Sequence, residues 1–395
     1  MTSPGHTGRR PRRTWAHAAA LVALTLAAAL LVACSGSEGS GDGTITAQLP
    51  TVATGHMPIV GVQDDRLVNA DAVPAERVRM IAATGARLAR VDVFWKDIAP
   101  DPPADPTDPE DPRYRFARLD AIVRGLRAAG IEPLLAVFNA PAWASGGTTV
   151  TPTMPYNSRP PDPAAYGAFM TALATRYSGR SSAGGERLPA VRLWEVWNEP
   201  NLSLYLKPEG GAKAWTAAYA GLVRAAYPAV HDHGAHDATV LVGATGPRGK
   251  TGPGGVGARD WVAALAANDV PGDAYSQHIY PASAPRDVTP AVPSWATLPQ
   301  LMEAADGWKP GVPVYITEAG YTTAPTPYRK VAVSEDDQAR YVRDIFGLEV
   351  VRDRRLKAVV WFNLQDNPNW PAGLLRVDGS EKPSYAVFRE VAAGG

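Results

Sequence analysis

From residue 55 onward, short runs rich in β-branched residues alternate with longer Ala-rich stretches of helical pattern. Runs of the first kind read as strands and the second as helices, and their regular alternation marks a parallel sheet with crossover helices. The pattern predicts strands at 58–63, 86–94, 132–138, 190–197, 239–244, 273–279, 312–317 and 357–363. Helices are predicted between and after them, at 75–84, 119–129, 163–177, 211–231, 258–268, 298–305, 335–351 and 383–391. Eight strand–helix units fit a single (β/α)₈ TIM barrel, which needs about 250 residues before insertions. An open doubly wound sheet is the alternative, but no GxGxxG follows the first strand.

The connections are lopsided. Helix-to-strand links are short, as at 84–85 and 129–130, with 178–189 the exception, whereas the strand-to-helix links 96–115, 139–162, 281–297 and 365–382 are long. In a barrel the strand-to-helix loops gather on the face that carries chemistry. The C-terminal ends of the strands are therefore where functional residues are expected.

Composition narrows the classes of function. The 395 residues carry 39 basic and 39 acidic side chains, a formal charge of zero, so no electrostatic footprint for nucleic acid is present. Gly and Pro at 37 each fit a globular domain with long loops. The single cysteine, Cys34, rules out an internal disulfide and Cys-rich zinc sites. Residues 1–34 read as a signal peptide, with Arg9, Arg10, Arg12 and Arg13 preceding an apolar stretch from 18 to 33 that falls short of the ~20 residues a bilayer span needs. That segment ends in Leu-Val-Ala-Cys and resembles a bacterial lipobox, which implies lipidation of Cys34. Residues 35–54 form a flexible linker, and 55–395 the barrel domain. The folded part is expected outside the cytoplasm, held at the membrane surface by a lipid anchor.

At the predicted strand ends stand Arg90 and Asp92, Asn139, Asn198 and Glu199, His278 and Tyr280, Glu318, and Trp361. A barrel interior is normally Val, Ile and Leu, so a ring of polar and ionisable groups there is costly unless it is used. Glu199 in "WEVWNEP" and Glu318 in "VYITEAGY" belong to the fourth and seventh strands, across the mouth from each other. Two facing carboxylates are the apparatus of glycoside hydrolysis.

These motifs together, "WNEP", "HIY", "TEAGY" and "WF", resemble the clan-A retaining glycoside hydrolases. Within that clan the chain is similar to family 39 and family 5 enzymes, including bacterial exopolysaccharide glycosidases of the PslG type. The resemblance covers the whole barrel. It implies that Glu199 is the general acid/base and Glu318 the nucleophile of a double displacement on a polysaccharide or oligosaccharide. It implies further that Asn198 binds the sugar 2-hydroxyl, that Tyr280 and Arg90 hydrogen-bond the nucleophile, that His278 lines the cleft, and that Trp361 floors the subsite at the cleavage point. Chemistry gives each a reason of its own. Arg90 favours an ionised Glu318, an apolar setting between Trp197 and Pro200 raises Glu199, and Tyr280 can donate to a carboxylate.

Blander roles compete. Glu199 could cap the next helix, and Glu195, two steps deeper on the same face, reads as a buried structural carboxylate. Asn139 and Trp143 are expected at the substrate, although Asn also caps turns and loop aromatics also pack loops down. The same holds for Trp95, Tyr156, Tyr205, Tyr321 and Trp370, of which Trp370 is favoured with Trp143. The run "DPPADPTDPEDP" lacks the spacing of a calcium loop and reads as a stiff rim loop, and His231, His233 and His236 fall on the opposite face. No cofactor, metal or nucleic-acid partner is expected, and the chain is expected to be a monomer. A transglycosylase remodelling surface glycan uses the same residues, and a glycan-binding lipoprotein without catalysis would keep the tryptophans but lose a carboxylate.

Overall fold

The computed structural model describes residues 56–151, 155–288 and 293–394. The predicted signal segment, Cys34 and the linker lie outside the described residues. Eight parallel strands close into a barrel: β1 (Ile59–Gln63), β2 (Leu88–Phe94), β3 (Glu132–Phe138), β4 (Leu193–Val196), β5 (Thr239–Thr245), β6 (Ala274–Ile279), β7 (Val314–Ala319) and β8 (Leu356–Phe362), with β1 hydrogen-bonded to both β2 and β8. The major helices follow in turn as α1 (Pro74–Ala83), α2 (Ala117–Ala128), α3 (Pro163–Arg176), α4 (Gly211–His233), α5 (Ala258–Ala267), α6 (Leu298–Asp306), α7 (Glu335–Phe346) and α8 (Pro383–Ala393).

Local chemistry sets the boundaries. Asp162 accepts from the backbone N–H of Ala165 ahead of Pro163, a preferred first helical residue, and so starts α3. Ser334 does the same for α7, whose first turn holds Glu335, Asp336 and Asp337 at the positive end of the helix dipole. The helix expected to run to 351 stops at Phe346, where Gly347 ends it and a 3₁₀ turn over Glu349–Arg352 follows. The long link 178–189 contains a small hairpin, Ser182–Ala183 with Glu186–Arg187, turned on Gly184 and Gly185, both at positive φ. In the rim loop, Asp111 accepts from the backbone of Ala104 and Asp105, so its carboxylates stiffen the loop itself. On the opposite face His231 meets Asp273 at 2.9 Å.

Leu88, Leu134, Leu193, Leu241, Ala274, Tyr315, Ala358 and Val360 fill the base of the barrel with an apolar layer. Because side chains alternate along a strand, the inward positions above that layer are Arg90 and Asp92 on β2, Glu195 on β4, His278 on β6 and Phe362 on β8. On β7 the alternation breaks. The ladder to β8 shifts register between Ile316 and Ala319, a bulge that turns both Thr317 and Glu318 inward.

Gly243 sits at φ +119°, where a Cβ would lie 2.6 Å from the carbonyl oxygen of Ser276. Gly243→Ala is therefore expected to destabilise the barrel by more than about 2 kcal/mol. A wild-type denaturant midpoint would contradict this packing of β5 on β6.

Candidate active site

The turn after β4 is what aims the acids. Trp197 (φ 71°) and Glu199 (φ 38°) both take left-handed backbone conformations that cost about 1–3 kcal/mol each for residues other than glycine. Trp197 is held outward by its indole N–H, which donates to the Tyr205 carbonyl at 2.9 Å, and by Tyr166 edge-on to its ring. The reversal at Trp197 then sends Asn198 and Glu199 toward the mouth. Asn201 fixes the turn from below, since its amide exchanges two hydrogen bonds with the backbone of Gly246 and donates to Val256. Gly246 must stay small: a Cβ there would come within 3.0 Å of the Glu199 carboxyl carbon. Glu199 caps no helix, because α4 begins only at Gly211.

Arg90 is the centre of the site. It is 1 % exposed, and its guanidinium reaches Glu195 (2.7 Å from Nε), Glu318 (2.7 Å), Gln63 (2.8 Å) and Asp92 (3.0 Å) from Nη1, and Asn198 (2.7 Å) from Nη2. Glu195, fully buried, also accepts from Thr317 at 2.7 Å and serves as the structural counter-ion that its depth suggested. Tyr280 donates to the other oxygen of Glu318 at 2.6 Å. His278 Nδ1 lies 3.0 Å from Glu199 Oε1 and 3.3 Å from Glu318 Oε2, so one imidazole touches both acids. Glu199, His278 and Glu318 each place an oxygen or nitrogen within 4.8 Å of those of the other two.

Burial raises the pKa of both acids. Glu318 reaches about 7, drawn down by Arg90 and by the Tyr280 hydroxyl, whereas Glu199 stays well above the usual carboxylate range through burial and the charge of Glu318. The proton shared by the pair therefore belongs on Glu199. Burial and the nearby Arg90 charge push His278 well below its usual value, so the imidazole is neutral.

The structure brings Arg90, Asn198, Glu199, His278, Tyr280 and Glu318 together. It does not bring in three other residues expected at the substrate. Trp361 is out of phase with the inward Val360 and Phe362, and its ring belongs to the core outside the barrel, with its indole donating to Ala372 at 3.0 Å. The aromatic that β8 offers to the mouth is Phe362, edge-on to Tyr280, which in turn meets Trp370 at 5.2 Å. Strand parity alone would have found it. Trp143 packs edge-on to Trp95 and donates to Ala99, pinning a loop. Asn139, at φ 58°, uses its side-chain oxygen to accept the backbone N–H of Asn157. Tyr156 and Tyr205, 4.8 Å apart, join Phe94 and Phe138 in an aromatic wall. Trp95 and Tyr321 are buried in the core instead.

Removing Glu195 leaves the Arg90 cation buried without its deepest partner, a change expected to cost about 3–5 kcal/mol. Chemical denaturation of Glu195→Ala measures it. A loss below about 1 kcal/mol would contradict the placement of this pair in the barrel interior.

Residues 70–367 match the family model described as Cellulase (glycosyl hydrolase family 5). Among solved structures the chain is similar to a family 39 glycoside hydrolase from the gut symbiont Bacteroides cellulosilyticus WH2, at 24% identity and TM-score 0.56, over 85% of this chain and 64% of that one. It is similar also to a GH39 β-xylosidase from Caulobacter crescentus (17% identity, TM-score 0.60, 88% of this chain and 73% of that one) and to a GH5_18 protein from Bifidobacterium longum (17%, 0.56, 86% and 78%). At these identities the likeness speaks for the fold, and the chain spans only 64% of the length of the first of the three. No curated protein matches the sequence. With three quarters of its length matched by the family model and its strand-end acids on a closed eight-stranded barrel, the chain belongs to glycosyl hydrolase family 5.

Proposed function

We propose that this protein is a retaining glycoside hydrolase acting on an oligosaccharide or polysaccharide. The observation that carries the reading is the spacing of the two acids. Their nearest oxygens are no more than 4.8 Å apart and share His278, which favours direct attack over the ~6.5–9.5 Å that an inverting enzyme leaves for water. In the first step an ionised Glu318 oxygen bonds the anomeric carbon while Glu199 gives its proton to the departing glycosidic oxygen. The C–O bond breaks and a glycosyl ester on Glu318 remains. In the second step Glu199, now ionised, takes a proton from water, whose oxygen attacks the anomeric carbon and frees Glu318. Tyr280 and Arg90 hold the Glu318 carboxylate in line, and Asn198, which directly precedes Glu199, accepts from the same guanidinium. The lipobox-like segment ending at Cys34 supports an extracytoplasmic, lipid-anchored location.

Glu318→Ala is expected to abolish hydrolysis of activated aryl glycosides and to regain part of it with azide, which replaces the missing nucleophile. Unchanged turnover in the variant would overturn the assignment. The pH profile has a definite sign. Activity falls as pH drops through the Glu318 value of about 7, because the nucleophile becomes protonated, and falls at higher pH as Glu199 loses its proton. Tyr280→Phe removes a donor that lowers the pKa of Glu318, so the acidic limb should move to higher pH and kcat/KM should drop roughly 10–100-fold. A limb that stays in place would show that Tyr280 does not act on Glu318.

A further inference from the structure

Beside Glu318, the ends of β1, β2 and β8 build a polar corner that the double displacement leaves unused. Asp65, 4 % exposed, follows β1 and accepts from Gln63 Nε2 and Asn367 Nδ2, both at 3.2 Å. Asp92 accepts from the same Gln63 nitrogen at 3.4 Å and from Arg90 at 3.0 Å. One amide thus stretches between two carboxylates, and Arg90 is already divided among Gln63, Asp92, Glu195, Glu318 and Asn198. Among the described residues Asp65 has no ion pair. Asn363, 1 % exposed, reaches the same corner: its Oδ1 accepts the Asp65 backbone N–H at 3.2 Å, and its Nδ2 is buried without a partner. Trp370, whose backbone N–H is held by Asn367, likewise has an unpartnered indole N–H.

The mouth holds five carboxyl groups, Asp65, Asp92, Glu195, Glu199 and Glu318, around the guanidinium of Arg90, while the nearby Arg329 is engaged by the Tyr280 and Pro281 carbonyls and the face of Trp370. Burial raises Asp65 well above the usual carboxylate range and Asp92 to about 6, so an added cation would favour their ionised forms. Buried carboxylates are stable only when donors or cations satisfy them, and here the protein supplies too few of both. A uronate or a phosphorylated sugar would add another anion to this corner. An ammonium would bring three donors and a positive charge.

Building on the hydrolase reading, we infer that this corner is a subsite for a sugar bearing a free amine, seated on the Glu318 side of the cleavage point. The ammonium lies between Asp65 and Asp92, and Asn363 and Trp370 donate to oxygens of the same sugar. Acetylating the amine removes the charge and two of the three donors, so the subsite distinguishes a free hexosamine from its N-acetyl form.

Calorimetric titration of the full-length Glu199→Gln variant, which cannot turn substrate over, tests this at about pH 6, where the sugar amine is protonated. The probes are β-1,4-linked tetramers of glucosamine, N-acetylglucosamine and glucose, with a galacturonate tetramer as the anionic control. The glucosamine tetramer is expected to bind at least about tenfold more tightly than the other three, as a charge-assisted contact implies. Adding Asp65→Asn or Asp92→Asn should shrink that preference to within about threefold. Equal or tighter binding of the neutral, acetylated or uronate tetramer overturns the inference, as do absence of glucosamine binding and a preference that survives both substitutions. Because the readout is binding by an inactive variant, these results leave the hydrolase reading to be judged separately by Glu318→Ala and azide.

Discussion

One guanidinium ties this site together. Arg90 stands in the second inward layer of the barrel, and its five acceptors come from β1, β2, β4, the turn after β4 and β7. A buried cation tolerates neither a missing partner nor a misplaced one. The strands that carry those acceptors are consequently held in a fixed relation across the barrel mouth. The same cation decides the charge state of the acids. It hydrogen-bonds Glu318 at 2.7 Å and makes no hydrogen bond with Glu199, so one carboxylate is drawn toward ionisation more strongly while its neighbour keeps a proton.

Backbone irregularities deliver the side chains to Arg90. Regular alternation would have placed Glu318 on the opposite face from Thr317, and the β7 bulge turns both inward. Left-handed residues at the ends of three strands, Asn139, Trp197 and Ala244, together with Glu199 in the turn, redirect the chain over the mouth. Three of these departures are offset nearby by specific contacts. Trp197 is pinned by Tyr205 and Tyr166, Asn139 by Asn157, and the turn carrying Glu199 by Asn201. Strain held in this way at the strand ends leaves the two acids with little freedom to move apart.

Much of this was legible in the sequence, and the reasons are physical. The eight strands and helices follow from hydrophobic period and from caps such as Asp162 and Ser334, which are local signals. Glu199 and Glu318 were legible because an acid ending an apolar strand has few alternative explanations. Trp361 misled because an aromatic at a strand end looks like a sugar platform, whereas parity from Ala358 and Val360 assigns the inward position to Phe362. Trp143 and Asn139 look like substrate contacts in sequence because loop packing depends on distant partners, Ala99 and Asn157, that no local pattern reveals. The role of Asp65 was hidden for the same reason, since the residues that meet it, Asn363 and Asn367, lie some three hundred positions away in the chain.

The central claim is that the Arg90 network makes the two facing acids unequal. Carbon-13 NMR titration of protein labelled at the glutamate side-chain carboxyl carbons, with Glu199→Gln and Glu318→Gln used to assign the two signals, measures that inequality without any substrate. The account predicts that Glu318 ionises first as pH is raised and that Glu199 is still protonated when it does. The reverse order, or a pair that titrates as two ordinary carboxylates near pH 4, would contradict it.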